Sequence, residues 1–180
     1  MNIPNILTLF RIAASFVFLF YSFRGEWSIA FWIFCVAAFT DMVDGSIARL
    51  LRQRTRLGAV LDPMADKLLM FFGFVTLTKG HFIAWWLTTL VIMRDLLIVG
   101  GVFYLRRQKI PIVFRPTYLS KATTFFQIVT LFSALMVTRN QFFLQAYFPI
   151  IMAVTAGLTF ITGMQYVRIG LRMLKSERAS

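Results

Sequence analysis

The chain is short of almost everything that a soluble domain or a secreted scaffold uses. Its 180 residues include one cysteine, one histidine, five prolines and only seven acidic side chains. With Cys35 alone, no intrachain disulfide can form. No internal repeat, low-complexity tract or Ser/Pro-rich linker divides the sequence, so one domain is the simplest organisation. The N-terminus has neither a basic n-region nor a small-residue cleavage site, and the first apolar run is therefore read as a retained helix. Charged residues make up only 14% of the chain, against 59% hydrophobic and 17% aromatic. A mean hydropathy of +0.75 completes the departure from an ordinary soluble composition.

What is present is a series of apolar runs, each about twenty residues long, the length that crosses a bilayer as a helix. Six spans are predicted, at Ile3–Phe23, Trp27–Leu51, Leu57–Thr78, Phe82–Leu105, Leu119–Thr138 and Phe142–Met173, the last ending in a basic helical tail. The net charge of +12 sits between these runs rather than along a nucleic-acid-binding face. Nucleic acid is not an expected partner; membrane lipids and anionic substrates are. With the N-terminus inside, the inner side carries Arg52, Arg54, Arg56, Arg106, Arg107, Lys109, Arg115 and Lys121, with Arg168, Arg172, Lys175 and Arg178 near the C-terminus. The outer side carries only Arg24, Lys79 and Arg139. That bias predicts an all-α integral membrane protein with six transmembrane helices and both termini cytoplasmic. Trp27, Trp32, Trp85 and Trp86 fall near the outer ends of spans two and four, as an interfacial aromatic belt does.

Four of the seven acids, Asp41, Asp44, Asp62 and Asp66, lie in DMVDGSIARLLRQRTRLGAVLDPMADK. Spacings of i, i+3 and i, i+4 put each pair on one face of its helix. At about 1.5 Å per residue, Asp44 and Asp41 lie roughly 10 and 15 Å before the inner end of span two. Asp62 and Asp66 lie roughly 8 and 14 Å into span three. Two antiparallel helices joined by a short basic turn thus bring all four to one level. Carboxylates at that depth need compensation, and four oxygen donors point to a hard divalent cation. An ordinary alternative is ion pairing with Arg49 and Lys67, which supply two charges against four. A cation transporter is a further alternative; the position of Arg49 and the lack of an inverted repeat weigh against it.

The full pattern is Asp41-x2-Asp44-Gly45-x2-Ala48-Arg49-x8-Gly58-x3-Asp62-x3-Asp66. It resembles the signature of the CDP-alcohol phosphatidyltransferase family, with all eight positions present, and the likeness runs from Ile3 to about Gln127. The resemblance implies a single membrane domain over 1–180 that moves a phosphatidyl group from CDP-diacylglycerol to an alcohol and releases CMP. It implies that Asp41, Asp44 and Asp62 hold metal, that Asp66 adds to a second metal position, and that Asp66 is also the general base. Two ions, Mg²⁺ or Mn²⁺, are the implied cofactors. Gly45, Ala48, Arg49 and Gly58 would accommodate the cytidine diphosphate, and the similar opening of helix 1 adds Thr8 and Arg11 near the headgroup. A homodimer and a site facing the cytoplasm of a bacterial inner membrane are also implied.

On the acceptor side, Arg94-Asp95 is a second intramembrane pair, either self-satisfying or able to bind an acceptor phosphate together with Arg115 and Lys121. IPNILTLFRI and LDPMADK resemble the branch that makes glycerol phospholipids. Members that use glycerol 3-phosphate usually show Arg-Glu and Lys-x-Lys-Thr where this chain has Arg94-Asp95 and Lys121-Ala122-Thr123-Thr124. MRDLLIVGGVFYLRRQ and RPTYLSKATTFFQ look more like members whose acceptor is phosphatidylglycerol.

Overall fold

The computed structural model describes residues 3–51, 58–108, 117–139 and 142–178, with the side chains at 3–5, 41–51, 58–60, 62–63, 106, 142–144 and 175–178 outside that description. The described residues are helical apart from short turns and contain no strand. The helices are α1 (Ile3–Phe23), α2 (Trp27–Leu51), α3 (Gly58–Lys79), α4 (Trp85–Arg107), α5 (Tyr118–Val137) and α6 (Phe142–Arg178).

Among the described residues, four helical stretches are long and apolar enough to cross a membrane: Ile6–Phe23, Trp85–Leu105, Tyr118–Val137 and Gln145–Leu174. The apolar part of α2, Trp27–Thr40, is shorter. The acid motif lies on α2 and α3. Large apolar side chains point outward in a way no soluble protein tolerates, among them Phe16, Phe39, Val99, Phe103 and Phe160. This is a membrane protein.

The chain folds as two compact units, each assembled from two stretches. The first holds Met1–Ile83 and Leu131–Gln145. There α1 packs against both α2 and α3, over a core that includes Phe18, Ala30, Phe34, Ala37, Phe74 and Leu77. Two of its turns obey the same rule. After α1, Gly25 adopts φ 76°, with Gly25 N–H donating to Ser22 O at 3.1 Å and Glu26 N–H to Tyr21 O at 3.0 Å. These are the paired bonds of a Schellman motif, and they need a left-handed residue.

After α3 the same pair recurs, His81 N–H to Thr78 O at 3.0 Å and Phe82 N–H to Leu77 O at 2.9 Å, but the left-handed residue is His81, at φ 62°. Gly80, one residue earlier, is needed for space: a Cβ there would lie 2.8 Å from the Trp27 ring and 2.9 Å from the Phe82 ring. Those rings meet edge to face at 5.2 Å. This turn also moves the start of α4 from the expected Phe82 to Trp85.

The second unit holds Ala84–Thr130 and Ala146–Ser180. Thr117 caps α5, its hydroxyl accepting from Ser120 N–H at 3.2 Å. A threonine ladder then joins α5 to α6. Thr123 Oγ1 donates to Leu119 O at 2.8 Å and meets Leu158 O at 3.3 Å and Thr162 Oγ1 at 3.4 Å. Thr130 and Thr155 hydroxyls bond at 2.7 Å, and Thr155 Oγ1 also reaches Phe126 O at 3.2 Å. Small hydroxyls that satisfy one another across a helix pair are a common glue inside membranes. Helix α6 has 37 residues, about 55 Å at 1.5 Å per residue, more than a bilayer core requires.

Candidate active site

The α-helical backbone runs without a break through Asp41 and Asp44 in α2 and through Asp62 and Asp66 in α3. The spacings inferred from sequence are therefore helical spacings, i, i+3 and i, i+4. The side chains of Asp41, Asp44, Gly45, Ala48, Arg49, Gly58 and Asp62 lie outside the described residues. Among the described residues there is no group of three or more His, Cys, Asp or Glu able to hold a metal.

Asp66 is the one motif acid whose side chain is described. It is half-exposed, and its Oδ1 accepts a hydrogen bond from Arg11 NH1, which makes a salt bridge between α1 and α3. The guanidinium side is buried: the Arg11 side chain is 3% exposed, against 47% for that of Asp66. The neighbours of Arg11 along one face of α1, Thr8 and Ser15, are also fully buried, and Ser15 Oγ donates to Arg11 O at 2.8 Å. A polar stripe inside an otherwise apolar helix thus leads to the motif acid. The bases nearest to the acids in sequence are Arg49 and Lys67, yet the arginine found on Asp66 comes from α1. Depth carried the signal for it. Arg11 and Asp66 each lie about 12 Å from the N-terminal end of their helix, α1 and α3.

In the second unit, Arg94 is buried, with NH1 donating to Asp95 Oδ1 at 2.8 Å and NH2 to Ser120 Oγ at 2.7 Å. Its guanidinium carbon sits 5.8 Å from the centre of the Tyr166 ring. One arginine therefore links α4 to α5 and lies against α6. Lys121, next to Ser120, is exposed, with Nζ 5.9 Å from the Tyr118 ring. Arg115 lies outside the described residues. Thr123, where the glycerol 3-phosphate pattern has its second lysine, is fully buried against α6. A lysine placed there in this chain would enter the threonine ladder.

All four motif acids are oxygen donors, and that donor chemistry fits a hard divalent ion rather than zinc or copper. What the described arrangement can do chemically is specific. A half-exposed carboxylate is held by a buried guanidinium, with a second buried arginine elsewhere in the chain anchored by an acid and a hydroxyl.

Comparison with known proteins places the chain in a wider group. The family model described as CDP-alcohol phosphatidyltransferase matches residues 1–161. The human cardiolipin synthase (CMP-forming) is 30% identical over 190 residues, covering 97% of this chain and 63% of that protein. The chain thus spans less than two-thirds of its human relative's length. The CDP-diacylglycerol–glycerol-3-phosphate 3-phosphatidyltransferase of Aquifex aeolicus is 31% identical over 181 residues, covering 98% of this chain and all of that protein. The Escherichia coli K12 protein of the same name is 46% identical over 104 residues, 54% of this chain and 56% of its own length.

Proposed function

This chain belongs to the CDP-alcohol phosphatidyltransferase family, and on that premise we propose that it transfers the phosphatidyl group of CDP-diacylglycerol to a glycerol-type alcohol, with phosphatidylglycerol as acceptor and cardiolipin and CMP as products. The observation that carries this reading is the unbroken eight-residue motif, Asp41 to Asp66, lying inside the matched residues 1–161. That match passes through stretches of both compact units, which supports reading them as one functional domain over 1–180.

In the proposed reaction the acceptor hydroxyl gives its proton to the Asp66 carboxylate. The hydroxyl oxygen forms a bond to the phosphorus that bears the diacylglycerol, and the bond from that phosphorus to the CMP oxygen breaks. Asp41, Asp44, Asp62 and Asp66 would hold two Mg²⁺ or Mn²⁺ ions, which supply charge neutralisation for the pyrophosphate and the departing CMP. Gly45, Ala48, Arg49 and Gly58, with Thr8 from α1, make room for the cytidine diphosphate. Arg94, Arg115 and Lys121 serve the acceptor's phosphate. The hydrogen bonds of Arg94 to Asp95 and Ser120 hold its guanidinium in one plane, which suits recognition of a phosphate by geometry as well as charge.

Six crossings belong to the same proposal. With 25 and 22 residues, α2 and α3 are about 37 and 33 Å long, enough to span the roughly 30 Å hydrocarbon core. The loop bases favour a cytoplasmic location for both termini and for the open side of the motif. A homodimer is the assembly that goes with this reading.

Glycerol 3-phosphate is the second reading, favoured by the 46% identity to the Escherichia coli relative. Purified protein given CDP-diacylglycerol and both acceptors decides between them by mass spectrometry of the lipid products. Cardiolipin is expected. Phosphatidylglycerophosphate alone would move the assignment to the second reading, and no acceptor-dependent CMP release would end both.

A further inference from the structure

Arg11 is costly where it is. A guanidinium removed from water inside a helix bundle loses several kcal/mol of solvation unless it is paired, and its side chain is only 3% exposed. Asp66 is far less enclosed, with its side chain 47% exposed. The burden of the pair is one-sided. Leucine at position 11 would fill the same space between α1 and α3 without a charge to compensate. A mere clamp between two apolar helices does not require an arginine aimed at the most chemically committed acid of the motif.

Resting on the function proposed above, we infer that Arg11 is a positioning residue for the reaction. Its guanidinium holds the Asp66 carboxylate by Oδ1, which fixes the side-chain torsions of Asp66, and it offsets one of the four carboxylate charges of the motif. Two consequences follow from those two roles. The orientation role uses the planar fork of arginine, which a lysine ammonium does not reproduce. The charge role opposes metal, because a fixed positive charge beside a metal ligand repels a divalent cation.

The variants Arg11→Met and Arg11→Lys, with Asp66→Asn as reference, separate these roles from simple packing. Mn²⁺ titrations followed by electron paramagnetic resonance read the metal directly, without turnover. Arg11→Met removes the repelling charge, so Mn²⁺ should bind at least about threefold more tightly. Turnover should fall about a hundredfold, the scale expected when a reacting group is misplaced by about an ångström, with little change in KM for CDP-diacylglycerol. Arg11→Lys keeps the charge and loses the fork. It should bind Mn²⁺ like the wild type and recover only part of kcat. Combining Arg11→Met with Asp66→Asn should lower kcat no further than Asp66→Asn alone.

A lower unfolding temperature with wild-type Mn²⁺ affinity and wild-type kcat in Arg11→Met would reduce Arg11 to a clamp and overturn the inference. Should Arg11→Met fail to fold, full kcat in Arg11→Lys would overturn it equally. Wild-type protein that neither binds Mn²⁺ nor transfers a phosphatidyl group would instead sink the proposed function itself.

Discussion

Gln127 is the residue whose replacement should most clearly stabilise the fold. It sits in α5 one turn after Thr123 and one turn before Thr130, and its side chain is fully buried. Both ends of its amide, Nε2 and Oε1, lack a hydrogen-bond partner among the described residues. The hydroxyls around it are already committed, Thr123 to Leu119 O and Thr130 to Thr155 and Phe126 O. A buried amide without partners costs about 1–3 kcal/mol relative to one that is satisfied. Methionine matches glutamine in length and flexibility and carries no polar group that needs a partner. Gln127→Met should therefore gain about 1–3 kcal/mol. For a chain of this length each kcal/mol corresponds to a midpoint shift of about 2–4 °C. Thermal unfolding in detergent, followed by the fluorescence of the four native tryptophans, measures it, and Gln127→Glu should move the midpoint the other way. A lower midpoint for Gln127→Met would refute the reasoning, because it would mean the amide has a partner worth keeping.

Three further outcomes are expected from the same assay. His81→Gly should gain about 0.5–1 kcal/mol by relieving the left-handed strain at φ 62°, while Gly80→Ala should lose about 1–3 kcal/mol because its methyl would strike the Trp27 and Phe82 rings. Thr130→Val, which deletes the 2.7 Å bond to Thr155, should cost about 0.5–1 kcal/mol, and a larger loss would show that the ladder acts as a unit. Asp95→Asn should destabilise more than Arg94→Met, since the Arg94 and Asp95 side chains are 4% and 20% exposed and stranding the more buried charge is worse; the reverse order would show that the acid is the dependent partner.

The helices were legible because the sequence punctuates them. The bounds expected for α1 and α2 coincide with those found, since Gly25 ends one run and Trp27 opens the next. The expected start of α4 lies three residues too early because Phe82 is apolar, and hydropathy cannot distinguish a helical phenylalanine from one that closes a Schellman turn onto Trp27. The last apolar run ends near Met173, where hydropathy falls, and the basic helical tail expected there carries α6 on to Arg178, because backbone hydrogen bonding does not need an apolar side chain at every position. At the site, spacing along one helix was readable and pairing between helices was not. Nothing in the motif announces that Asp66 meets a residue 55 positions earlier. The resemblance put Arg11 near the headgroup without naming its partner, and the depth of that arginine in the first run gains meaning only when set beside the depth of the acids.

The two buried arginines among the described residues show why that distinction matters for function. Arg94 takes its acid from the next residue, so the pair can form as soon as the helix does, and Ser120 on α5 adds to it afterwards. Arg11 and Asp66 can meet only when α1 and α3 have docked. A local pair makes its charge tolerable wherever the helix goes, whereas a non-local pair makes a charge tolerable only in the assembled state. Asp66 thus acquires its orientation from the tertiary fold, and it is also the more exposed of the two acids, 47% against 20%. An acid that stays open to a substrate while its geometry is set by a buried partner is suited to act on that substrate. An acid closed over its own neighbour is suited to hold an arginine still. On the function proposed above, Asp66 is the working acid and Asp95 the supporting one, and the two roles divide by where each arginine finds its charge.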